Sequence, residues 1–194
     1  MAKSNIIGII AVVALIVVLV VIGVGWYIGI RNKLVTMEEN INGAWAEIDN
    51  QLKRRADLIP NLVNTVKGYA THEREVFTQV AEARAKLAGA STVGEAAAGY
   101  NQLQNALGRL LVIVERYPEL KANVNFIRLQ DELAGTENRI AVARKRYNDS
   151  VRLFNTKIRR FPSSIVARHM GLEKKEYFEI EEQAREVPKV DFEQ

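Results

Sequence analysis

The chain has 194 residues, with 27 lysines and arginines against 23 acids, two histidines and no cysteine. Without cysteine there are no disulfides, thiolate metal centres, iron–sulfur clusters or thiol nucleophiles. Beyond residue 30 the balance is 26 bases to 23 acids, a net +3. That is too even for a nucleic-acid binder of this size, so nucleic acid is excluded as a partner.

From Ile6 to Ile30, "IIGIIAVVALIVVLVVIGVGWYIGI", 25 residues carry no charged or strongly polar side chain. As a helix they span about 37 Å, enough to cross a hydrocarbon core of roughly 30 Å with some tilt. A cleaved signal peptide would have a shorter apolar stretch and small residues at a cleavage site, so residues 1–30 read as a retained anchor in contact with membrane lipid. Trp26 and Tyr27 suit the headgroup layer, and Arg31 and Lys33 follow them as interfacial anchors. These two cations outnumber Lys3, and the positive-inside bias therefore places the C-terminal domain in the cytoplasm. Gly25 and Gly29 form a G-x-x-x-G pair that lets a second membrane helix approach closely.

The remaining residues, roughly 160, are the size of one domain. Leu34, Met37, Ile41, Trp45, Ile48 and Leu52 step by three or four, so a helix continues out of the bilayer as far as Pro60. Pro60 reads as a corner, with a second helix from Asn61 to Ala88 that stops at "AGAS". A third helix is expected from Val93 to Tyr117, and Pro118 marks the next corner. The fourth segment carries the clearest pattern in the chain. Phe126, Leu133, Ile140, Tyr147, Phe154 and Phe161 recur every seven residues, a coiled-coil-like bundle seam that Pro162 ends. No segment past the anchor shows the alternation of a strand. The expected fold is all-α: a transmembrane helix, a long antiparallel four-helix bundle over residues 31–162, and a charged tail over 163–194, partly extended or short-helical.

Candidate sites are few. Lys53, Arg54 and Arg55 precede Pro60, where cations favour the negative end of a helix dipole. They also offer a surface for an acidic partner, although Lys53 would lie about 33 Å beyond Arg31, too far for its own membrane. His72–Glu73 begins an H-E-x-x-H zinc motif that Val76 does not complete, and neither His72 nor His169 has the glutamate three residues earlier that a di-iron bundle uses. Arg144–Arg146, with Arg159 and Arg160, read as the solvated face opposite the seam. No serine sits in a G-x-S-x-G context and no glycine-rich phosphate loop occurs. The residues thus assign no catalytic group, no metal ligand and no cofactor.

The stretches "RRADLIPNLVNTVKGYATHE" (Arg54 to Glu73), "VAEARAKL" (Val80 to Leu87), "YPELKANVNFIRLQDELAGTENRIAVARKRYNDSVRLFNTKIRRFP" (Tyr117 to Pro162) and "VPKVDF" (Val187 to Phe192) resemble the LemA family. Val124 stands where many members carry glutamate or another polar residue. The resemblance implies a bacterial single-pass protein of the cell membrane, commonly with its N-terminus outside, and a four-helix bundle; it does not imply an established enzymatic activity or cofactor. A magnetosome-forming relative implies a part in membrane organisation. Two functions fit: a non-enzymatic scaffold that self-associates, or a regulatory adaptor docking on another membrane protein, such as a protease or transporter. The adaptor would use Lys53–Arg55 or the tail from Glu173 to Glu186.

Overall fold

Six helices dominate the computed structural model, which describes residues 2–70 and 72–180, with side chains for all of these except residues 2–9 and 11. They are α1 (Ala2–Lys67), α2 (Arg74–Ala88), α3 (Val93–Val114), α4 (Pro118–Lys121), α5 (Val124–Arg159) and α6 (Ser163–His169), and no strand occurs among the described residues. The stretch from Glu181 on, including "VPKVDF" and the last part of the expected docking tail, lies outside the described residues. Two compact units divide the chain, residues 1–45 with 146–175, and residues 46–145 with 176 onward.

In the first unit, α1 begins as one membrane-length apolar helix. Its side chains are exposed over residues 12–26, as a lipid-facing segment requires, and burial starts where charge does: Tyr27 is half-buried, Leu34 wholly buried and Ile41 nearly so. Against this face runs the second half of α5, with Tyr147, Val151 and Phe154 buried and the rings of Trp45 and Tyr147 5.7 Å apart. The extended chain after α6 is tied down twice. Asn155 donates from Nδ2 to the Lys175 carbonyl and accepts from the Lys175 N–H through Oδ1, both at 2.9 Å, while Lys175 Nζ reaches Glu38 at 2.6 Å.

The heptad seam therefore runs only as far as Phe154. Phe161, expected in it, is 82% exposed, because α5 ends at Arg159 and the chain turns before the next heptad position is reached. Ser163 stabilises that turn by donating its hydroxyl to the carbonyls of Lys157 and Arg160, the second of which also accepts from the Ser164 N–H. The expected tail also contains α6. It closes in a Schellman motif: Gly171 adopts φ +66°, and the Leu172 and Gly171 N–H groups donate to Ala167 and Arg168.

In the second unit the C-terminal part of α1, α2, α3 and the N-terminal part of α5 pack as helices around Leu62, Val66, Val80, Leu103, Leu110, Phe126, Leu133 and Ile140, all buried. α2 and α3 form a hairpin. Its turn is fixed by a capping box in which Thr92 accepts from the Glu95 N–H, while Glu95 accepts from the N–H groups of Ser91 and Thr92. Those donors, the Ser91 N–H first, hold the Glu95 carboxyl below its ordinary pKa. Gly99 allows the hairpin to close: a Cβ there would stand 2.9 Å from Leu87 Cα. Asn123 caps α5, its Oδ1 accepting from the N–H groups of Asn125 and Phe126, and Val124 beside it is 78% exposed.

Pro60 is not a corner. α1 passes through it to Lys67, and the expected Asn61–Ala88 helix is two helices parted at residues 68–73. Proline removes the donor that would pair with the carbonyl of Ala56, four residues earlier. Arg84 on α2 supplies the missing donor, with Nε 2.7 Å from the Ala56 oxygen. The third helix likewise stops at Val114, three residues before the expected end.

Candidate functional site

The most concentrated polar chemistry inside the bundle lies where α1, α3 and α5 meet in the second unit. Arg55 is only 5% exposed. Its Nη1 pairs with Glu137 Oε2 on α5, and its Nη2 donates to Gln104 Oε1 on α3 at 2.6 Å. The same Glu137 oxygen accepts from the Tyr100 hydroxyl at 2.5 Å and from Gln104 Nε2 at 2.9 Å. The Arg55 guanidinium also lies over the Tyr100 ring, 5.5 Å from its centroid. Burial, and then the bond to Glu137, push the Tyr100 phenol well above its ordinary value, so it stays a neutral donor. Phe178, fully buried, sets its ring 6.3 Å from that of Tyr100 and docks the C-terminal segment against α3.

This is the chemistry of a structural lock. A guanidinium, a carboxylate, an amide and a phenol hydrogen-bond one another across three helices, with Arg55 Nε left without a partner. A sliding of α1 against α5 would strand the buried Arg55 charge away from Glu137, which favours one register of the two helices. Beside it a groove of about 490 Å³ is lined by Leu62, Leu107, Leu111, Leu133 and Ala134. Among the described residues no three His, Asp or Glu side chains gather as a metal site.

The structure separates the three cations read together from the sequence. Arg55 is withdrawn into the lock; Lys53 is exposed and paired with Asp49 at 2.6 Å; Arg54 is exposed. The cause is helical phase: Arg55 continues the series Leu34, Ile41, Ile48 at intervals of seven, so it must face inward. That spacing, running on to Leu62, was the available signal for its burial. No comparable signal marks Glu137, Gln104 or Arg84, which are polar residues flanking apolar seams. Trp26, Arg31 and Lys33 are exposed near the end of the apolar stretch, Gly25 and Gly29 have no atom within 4 Å of a Cβ position, and His72 and His169 are exposed in the α1–α2 connection and the last turn of α6.

A membrane-length helix that continues into an all-α bundle closed by a buried polar lock defines a membrane-anchored structural protein. Residues 44–192 match the LemA family, and the chain belongs to that family of bacterial membrane proteins. LemA-family proteins are non-catalytic. The chain is 26% identical over 183 residues to magnetosome protein MamQ 2 of Paramagnetospirillum magneticum, covering 81% of this chain and 67% of that one. It is 27% identical to magnetosome protein MamQ of Magnetospirillum gryphiswaldense, over 76% of this chain and 64% of that one. Identity to Protein LemA of Metamycoplasma hominis is 27%, over 85% and 74% of the two chains. The chain thus spans about two thirds of the length of its magnetosome relatives. Family and fold together give a non-enzymatic, membrane-associated structural role at the bacterial inner membrane, with one membrane-spanning helix among the described residues.

Proposed function

We propose that the protein is a scaffold that self-associates in the plane of the membrane and holds its helical bundles at the bilayer surface, thereby organising membrane or membrane proteins. The observation that carries this reading is the placement of Gly25 and Gly29. At about 100° per residue the pair is centred about 180° from Tyr27. Tyr27 is the residue against which His169 packs, its ring 6.0 Å away edge-on. The chain's own bundle covers one side of the helix end, and the small-residue face on the other has open space. Small residues there let two backbones approach, which is where association in lipid draws its packing energy.

Disulfide trapping tests this in a chain with no cysteine of its own. Gly25→Cys and Gly29→Cys proteins should form interchain disulfides in native membranes. Gly23→Cys, about 40° from Tyr27 and so on the face turned away from the glycine pair, should not. Equal trapping at all three positions, or none at any, would count against the reading.

In the adaptor reading Lys53 and Arg54 are exposed, while Arg55 is buried in the lock and lines the groove next to it. A partner docking here would use the groove beside the lock, whose Leu111 is 40% exposed.

A further inference from the structure

The turn between α5 and α6 presents a combination that water does not favour. Phe161 is 82% exposed and Ile165, four residues on, is 60% exposed, while the hydroxyl of Ser163, itself buried, fixes the turn from inside. Arg159 and Arg160 precede the two apolar residues in the chain and Arg168 follows them, and all three are exposed. Isolated exposed apolar residues are ordinary, but an aromatic and a β-branched side chain four residues apart, flanked in the chain by three exposed arginines, form the pattern of an interfacial membrane element.

The height of this element along α1 follows from contacts within the first unit. Trp45 packs on Tyr147, and Asn155 clasps the backbone of Lys175, whose side chain pairs with Glu38. The second half of α5 thus descends α1 residue for residue. Continuing that register to the end of α5 brings Arg159 to about the level of Lys33, and the turn that carries Phe161 follows at once. The contact of His169 with Tyr27 places the end of α6 a turn lower still, at the limit of the apolar stretch. Arg31 and Lys33 of α1 stand exposed at the same level. Two acids of this unit, Glu38 and Asp149, are engaged by Lys175 and Arg152.

We propose that the α5–α6 turn is a second membrane contact, which seats Phe161 and Ile165 at the boundary between headgroups and acyl chains of the bilayer that α1 spans, while Arg159, Arg160 and Arg168 bind anionic headgroups. The aromatic and the isoleucine lose their exposure to water, and each arginine near a negatively charged leaflet adds to the attraction. The bundle is then held at two points, and its first unit cannot swing freely about the membrane helix.

The test uses the full chain in vesicles of phosphatidylethanolamine and phosphatidylglycerol. Phe161→Cys and Ile165→Cys proteins carry a fluorophore at the new thiol, and quenching by nitroxide-labelled lipid is compared with that of Gly43→Cys, exposed on α1 twelve residues beyond Arg31. Both turn positions should be quenched several-fold more than position 43. The difference should shrink when Arg159, Arg160 and Arg168 become glutamine, or when phosphatidylcholine replaces phosphatidylglycerol. Quenching at 161 and 165 no stronger than at 43, whether from water exposure or from shelter against another protein, would overturn the proposal, as would quenching that neither change alters.

Discussion

Arg84 Nε lies 2.7 Å from the carbonyl oxygen of Ala56, the backbone acceptor that Pro60 leaves without its helical partner. A helix that would otherwise break continues for seven further residues because a side chain on the next helix supplies the missing donor. The two residues form one device, and they should fail as one. Arg84→Met should destabilise the protein by about 1–2 kcal/mol, since a partly buried carbonyl loses its only strong donor. In a Pro60→Ala background, where the backbone N–H is restored, the same substitution should cost much less. Urea unfolding of the four proteins gives the coupling directly, and strictly additive effects would refute the pairing.

Arg55 is the most consequential charge in the bundle. Arg55→Met leaves Glu137 facing Tyr100 and Gln104 without a cation, and stability should fall by about 3 kcal/mol, the low end for a buried pair because Glu137 retains 37% side-chain exposure. Arg55→Met combined with Glu137→Leu should recover most of that loss. Thermal unfolding of the two variants beside the parent checks both outcomes.

The raised phenol of Tyr100 has a consequence at high pH. The folded chain keeps a proton there that the unfolded chain releases near the ordinary value of 10.0. The contribution is therefore fully present below about pH 10 and declines as pH rises through the folded value. Tyr100→Phe should be less stable than the parent at neutral pH, for want of the bond to Glu137, and the gap should narrow above about pH 10. Denaturant midpoints from pH 8 to 11 follow the difference, which cancels the titration of lysines common to both.

Gly99 shows helix propensity overruled by packing. In an open helix Gly→Ala stabilises by about 1 kcal/mol. At position 99 the added methyl would press on the Leu87 backbone at 2.9 Å, and backbone cannot turn aside as a side chain can. Gly99→Ala should lower stability by about 1–3 kcal/mol, while Gly108→Ala on the same helix, with open space, should raise it. Melting temperatures of the two variants separate the effects.

How legible this was in the sequence depended on whether the responsible force is periodic. The membrane helix, the all-α class and the seam from Phe126 to Phe154 follow from repeated apolar spacing, which many residues report together. Pro60 was misleading because proline's local cost is real, and its remedy sits 24 positions further on, in an arginine that nothing in its own neighbourhood marks. Arg55 could have been placed by phase, since Leu34, Ile41, Ile48 and Leu62 frame it at sevens, but a triplet of cations invites a surface reading. Phe161 fits the heptad arithmetic and fails it in space, because the helix stops two residues earlier. The partners Gln104, Tyr100 and Glu137 come from separate helices, so only the tertiary arrangement brings them together.

The central claim, association through the anchor, is tested most directly by the mass of the full-length protein in mild detergent, measured by light scattering beside Gly25→Ile/Gly29→Ile. Neither glycine touches the chain's own bundle, so the variant should keep its helicity and melting temperature. The account predicts a defined oligomer for the parent and a monomer for the variant. Monomers in both, or an oligomer unchanged by the substitutions, would contradict it.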